Sequence, residues 1–159
     1  MTDRTFPELL QCEDLLDQPE ELYLRQVTAK HCDGNMVFAS AFQVPSKRKG
    51  ATESPEDRAD RYKLSGARSL KQTPQGAYAE RQQVRASEGT WGVSVSEVGD
   101  AGSRLIDDTG CPTAAGETLP TGHTYLDQRV VDDQDFLDQL RMTLAGAATR
   151  RRRLHPPAD

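Results

Sequence analysis

Residues 89–98 read Gly89-Thr90-Trp91-Gly92-Val93-Ser94-Val95-Ser96-Glu97-Val98. Trp91, Val93 and Val95 alternate with Gly92, Ser94 and Ser96, the two-residue period of a half-buried strand. The run predicts a strand seated on a folded core. Glu97 lies near its exit, where a rigid strand can aim a carboxylate into a cleft.

Upstream of this strand, Thr73-Pro74 offers an N-cap and a first-turn proline for a helix through about Arg85, with Ala77, Tyr78, Arg81 and Val84 near one another. Tyr62–Ser65 reads as a brief strand. Pro45–Asp60 has almost no apolar residues and reads as an exposed mobile loop over about 45–61. Met36–Val44 reads as a second long strand, with Met36, Phe38, Ser40, Phe42 and Val44 on one face, so a buried Ser40 would need a hydrogen-bond partner. Asp33-Gly34-Asn35 is turn chemistry, and Leu22–Val27 a first strand. Thr5-Phe6-Pro7-Glu8 has the form of a capping box, so a short helix is predicted, with Phe6, Leu9, Leu10, Leu15 and Leu16 on its apolar side and Pro19 at its end.

Downstream, Arg104–Asp107 is a short candidate strand, 109–122 a loop rich in Gly, Pro and Thr, and His123–Val131 a late strand. Phe136, Leu137, Leu140, Leu144 and Ala148 recur at helical spacing, which predicts a helix over Asp132 to about Ala148. Asp132, Asp133 and Asp135 suit its N-terminal dipole and Arg150–Arg153 its C-terminal one. The pattern predicts an α+β fold. A single small mixed sheet of strands near 22, 36, 91, 104 and 123 is packed by the helix at 74–85 and the C-terminal helix, in one domain over 1–149 with a basic tail at 150–159.

The chain's 159 residues are 35% apolar and 28% charged, with a net charge of -5. That balance argues against a dedicated nucleic-acid binder, which needs surplus Lys and Arg on one face. The charge is blocked: residues 46–85 hold ten basic and five acidic residues, and 86–149 hold three and eleven. Cys12, Cys32 and Cys111 are odd in number and widely spaced, and no apolar leader follows Met1. Reduced thiols and a soluble cytoplasmic location are expected, with no membrane span.

Phosphate-loop, dinucleotide and nucleophile-elbow motifs are absent. His31, Cys32, Cys111 and His123 lack paired ligand spacing, so no metal site is expected. The remaining chemistry lies in charged clusters. Lys47, Arg48 and Lys49 in the loop, with Arg150, Arg151, Arg152 and Arg153 in the tail, could grip carboxylates or phosphates. They predict a non-enzymatic accessory protein of a bacterial complex, binding a protein partner without a cofactor; nucleic-acid contact through the arginine tail is an alternative.

A further alternative rests on resemblance. Leu22-Tyr23-Leu24-Arg25 on a first strand, Phe38-Ala39-Ser40 on another, the Thr73-Pro74 helix and Glu97 on a later strand resemble the layout of ADP-ribosyltransferase-like enzymes. The resemblance implies a cleft for NAD, with Arg25 on its phosphates or ribose, Ser40 orienting the nicotinamide side and Glu97 steadying the reacting ribose. The usual Ser-Thr-Ser motif and a paired Glu-x-Glu are missing. The run from LYLRQV through GTWGVSVSEV to GHTYL is also similar to small standalone bacterial cytoplasmic proteins, which implies a compact domain and no particular activity.

Overall fold

A computed structural model of the chain describes residues 6–45, 52–113, 115–130 and 133–157. In chain order the elements are β1 (Asp14–Leu15), β2 (Leu22–Val27), β3 (Cys32–Asp33), β4 (Met36–Val37), α1 (Pro55–Arg61), β5 (Lys63–Arg68), α2 (Pro74–Gln82), β6 (Gly89–Ser94), α3 (Val95–Asp100), β7 (Leu105–Asp107), β8 (His123–Asp127) and α4 (Gln134–Arg151). Short 3-10 turns occupy Ala29–His31 and Ala39–Phe42. Six strands form one sheet in the order β1-β7-β8-β5-β2-β6, and β3-β4 is a separate hairpin. The fold is α+β as expected, and its sheets are antiparallel throughout rather than mixed.

The core forms where α4 lies on the sheet. Leu137, Leu140, Leu144 and Ala148 of the helix meet Tyr23, Val27, Trp91, Val93 and Leu126 of the strands, all essentially inaccessible to water. Each leucine buried there contributes about 1.5–3 kcal/mol relative to exposure. Arg141 is also buried, and its Nε donates to Gln128 Oε1 (2.8 Å), while Gln128 Nε2 donates to the Phe42 carbonyl (2.7 Å). That relay fastens the Ala39–Phe42 turn to the helix.

Four local expectations are corrected. All six residues of β6 are buried, not alternate ones, because the chain after α4 returns to this strand: Thr90 N donates to the His155 carbonyl (2.7 Å), and Leu154 N to the Thr90 carbonyl (2.8 Å). The strand stops at Ser94, whose side chain and that of Glu97 form a capping box that opens α3. The strand expected over 36–44 shrinks to Met36–Val37; Ala39–Phe42 is a tight turn, and Met36 and Phe38 are exposed instead of sharing the inner face with Phe42. No helix follows Pro7, since Cys12 is disulfide-bonded and Glu13 accepts from the buried Tyr125 hydroxyl (2.7 Å), tertiary ties that override the local helix signal.

The expected loop at 45–61 contains α1, with Ser54 and Asp57 as its capping box and Pro55 in its first turn; none of the helix's residues is buried. Lys47, Arg48 and Lys49 lie outside the described residues. Cys12 and Cys111 are bonded, not reduced (Cα–Cα 5.5 Å), leaving Cys32 as the free thiol. The pairing follows from topology: β1 lies on β7, with Asp14 opposite Asp107, so the residues just before one strand and just after the other are neighbours across 99 positions of sequence. Among the described residues no helix is long and apolar enough to cross a membrane.

Candidate functional site: a cationic cleft

A cleft of about 490 Å³ opens where β2 ends, between the Thr28–His31 turn, the Ala39–Phe42 turn and the C-terminal end of α2. Its size is that of a small-molecule site. Arg25, Lys30, His31, Arg81 and Arg85 line it, with Thr28, Ser40 and Gln43, and among the described residues no acidic side chain lines it. Four permanent cations converge there in a chain whose net charge is -5.

The walls are held by a polar framework. Arg25 Nε donates to the Ala41 carbonyl (3.1 Å) and its Nη1 to the Ser65 carbonyl (2.9 Å), so one guanidinium ties the Ser40 turn to β2 and β5. The α2 wall starts at Thr73, whose hydroxyl accepts from Gly76 N (2.9 Å). Gln26 Nε2 donates to Thr90 Oγ1 (2.6 Å), which donates to the Pro74 carbonyl (3.0 Å). At the other end Ser87 N donates to Gln82 Oε1 (2.8 Å), and Ser87 Oγ to Gln26 Oε1 (2.9 Å). With α2 fastened at both ends, Arg81 is held against the cleft.

Two buried side-chain atoms among the described residues lack a hydrogen-bond partner, Thr28 Oγ1 and Arg81 Nε, and both belong to residues lining this cleft. An unpaired buried polar group costs about 1–3 kcal/mol, more when charged. Burial, then the charges of Arg25 and Arg85, hold the Arg81 guanidinium below the usual arginine range. Burial, then Lys30 and Arg25, likewise hold His31 below the usual imidazole range, so the ring is neutral at pH 7. His31 Nδ1 lies 2.7 Å from Ser40 Oγ. An anion would supply the missing acceptor and relieve the repulsion among the cations.

The structure thus brings Arg25 and Ser40 to one cleft and leaves Glu97 out of its lining. Glu97 caps α3 and pairs with Arg151 Nη1 (2.6 Å); although burial raises its carboxyl, the hydrogen bonds and charge of Arg151 and Ser94 hold it below the usual range. Arg151 also donates to the Gly92 carbonyl (3.1 Å). Arg153 donates to the Pro156 carbonyl (2.7 Å) and stands over the Trp91 ring. Arg150 and Arg152 are exposed. Among the described residues no three His, Cys, Asp or Glu side chains are placed to hold a metal ion.

Lys30, Arg81 and Arg85 were not among the candidates the sequence singled out for binding, and His31 was weighed only as a metal ligand. For Arg81 and Arg85 the signal is the local surplus of base in 46–85 and the helical spacing that sets Arg81 beside Ala77 and Arg85 one turn beyond; Lys30 and His31 carry none. Searches of family models, curated proteins and solved structures return no match to the chain.

Proposed function

We propose that the protein binds a phosphate-bearing anion in the Arg25–Arg81 cleft. The observation that carries this reading is the coincidence of converging cations, no lining carboxylate, and both unpartnered buried polar atoms in one cavity. Guanidinium forks match phosphate oxygens, and several of them in a partly buried cleft suit a doubly charged group better than a single carboxylate. The diphosphate of NAD belongs to this class. Arg25 and Ser40 line this cleft, Ser40 from a turn and not from the strand the resemblance implied, while Glu97 caps α3 outside the lining, so the reading is one of binding and not of ADP-ribosyl transfer.

Titration calorimetry with inorganic pyrophosphate and with NAD tests it. A saturable 1:1 heat is expected, with affinity reduced about 10- to 100-fold in Arg81→Gln, the loss of one charge-assisted hydrogen bond of about 1.5–3 kcal/mol. Absence of binding by either compound, or binding indifferent to Arg81→Gln, refutes the reading.

Exposed Arg150 and Arg152 support a second reading, contact with a protein partner or nucleic acid at the end of α4. It rests on those two side chains, since Arg151 and Arg153 are engaged within the fold. For location, the Cys12–Cys111 bond favours an oxidising compartment over the cytoplasm.

A further inference from the structure

The cationic cleft contains a paired hydroxyl and imidazole. His31 closes one turn, with its amide donating to the Thr28 carbonyl (2.9 Å) and its carbonyl accepting from Phe38 N (3.0 Å). Ser40 sits in the next turn, pinned by Arg25 through Ala41 and by Gln128 through Phe42. Two independently anchored turns therefore hold Ser40 Oγ 2.7 Å from His31 Nδ1. Both side chains line the cleft beside Arg25, Lys30, Arg81 and Arg85.

We propose that Ser40 is a nucleophile and His31 its base, and that the cleft transfers a phosphoryl group from a phosphoester or phosphoanhydride to Ser40 and then to water. This rests on the anion-binding reading of the same cleft. A hydroxyl becomes a nucleophile when a neutral base accepts its proton at hydrogen-bond distance. Here His31 accepts it at Nδ1, while cations that no carboxylate among the lining residues offsets stabilise the charge developing on the phosphoryl oxygens. The balance is complete without an outside oxidant or reductant. The Ser40 Oγ–P bond forms as the P–O bond to the leaving group breaks; the proton held by His31 passes to that leaving oxygen. Water then attacks the phosphoserine, giving a proton to His31, releasing inorganic phosphate and restoring the Ser40 hydroxyl with that proton.

Arg25 is a positioning residue in this account, because two of its donors are committed to the Ala41 and Ser65 carbonyls. The cleft lining offers Ser40 as the hydroxyl in contact with a base; Thr28 Oγ1, the other lining hydroxyl, has no hydrogen-bond partner among the described residues.

The test uses the full chain and a probe that reports an activated serine irrespective of the natural substrate. Diisopropyl fluorophosphate forms an Oγ–P bond with expulsion of fluoride, and peptide mapping locates the adduct. Stoichiometric labelling at Ser40 is expected, absent in Ser40→Ala and slowed about 100-fold or more in His31→Gln, the usual share of a general base. Calorimetry with pyrophosphate runs in parallel on all three proteins, with circular dichroism to check the fold. Pyrophosphate binding retained by wild type and Ser40→Ala, together with Ser40 labelling that depends on His31, supports the proposal. Binding without labelling, or labelling that His31→Gln leaves unchanged, overturns the Ser40 chemistry and leaves the anion site standing. No pyrophosphate binding in the wild type overturns both.

Discussion

Reduction of Cys12–Cys111 gives a perturbation whose size can be worked from the topology. The bond closes a loop of 99 residues, which contains five of the six strands of the main sheet, all but β8. In the chain-entropy treatment a loop of that length removes about 4.7 kcal/mol of freedom from the unfolded chain. For a protein of this size 1 kcal/mol moves the melting temperature by about 2–4 °C, so reduction is expected to lower it by roughly 10–18 °C. The neighbouring hydrogen bonds are not made by the cysteines themselves: Glu13 accepts from the Tyr125 hydroxyl, and Leu16 N donates to the Leu105 carbonyl. Melting is followed by circular dichroism on oxidised protein, reduced and alkylated protein, and a Cys12→Ala/Cys111→Ala variant. A thiol assay on the untreated native protein should find Cys32 alone. Identical melting of the oxidised and double-alanine proteins, or three titratable thiols in the native state, would refute the reasoning.

Asp127 has no exposed side-chain surface and accepts from Arg129 Nε (2.8 Å) and Arg104 Nε (2.9 Å), so Asp127→Asn should cost about 3–5 kcal/mol in urea unfolding by stranding two arginines. Burial raises its carboxyl, but Arg129 and Arg104 outweigh that and hold it below the usual range. Its contribution is therefore present above about pH 3.9 and lost as pH falls through the lower folded value, so the wild type's acid-side decline should flatten in the variant. Gly66→Ala drives a Cβ into the Tyr23 ring at Cε2 and to 2.7 Å from the Leu24 carbonyl, a backbone atom that cannot yield. A loss of about 1–3 kcal/mol is expected, with weaker anion binding because the adjoining Ser65 carbonyl anchors Arg25. His31 faces Arg25, Lys30, Ser40, Arg81 and Arg85 and titrates below about 6.5. Sulfate, which keeps its charge there, should bind more tightly as pH falls through that region; calorimetry on His31→Gln should show the dependence gone.

Elements with strong local grammar were legible. The Trp91 strand, the Thr73-Pro74 helix and the Leu137–Ala148 repeat announce themselves by period and cap, and the structure places β6, α2 and α4 there. Ser54-Pro55 carries the same cap-then-proline signal as Thr73-Pro74, but the polarity around it hid α1. Ser94-Val95-Ser96-Glu97 is a capping box that the alternation of the preceding strand masks, which is why Glu97 looked like a strand-end carboxylate. The Ala39–Phe42 turn was not legible, because its cause is remote: Arg25 holds the Ala41 carbonyl and Gln128 the Phe42 carbonyl, and Gln128 is itself held by Arg141 of α4. The same holds for the cleft. Arg25 and Arg81 are 56 positions apart in number, and only the pairing of β2 with β6 and the packing of α2 bring their charges together.

The most direct measurement of the anion site is the side-chain NMR signal of Arg81 Nε–H during titration with inorganic pyrophosphate. A saturable shift of that resonance, accompanied by the Thr28 and Arg85 signals and absent with an equal ionic strength of chloride, is the predicted result. An Arg81 signal that does not move, while exposed Arg150 and Arg152 shift without saturation, would contradict the account.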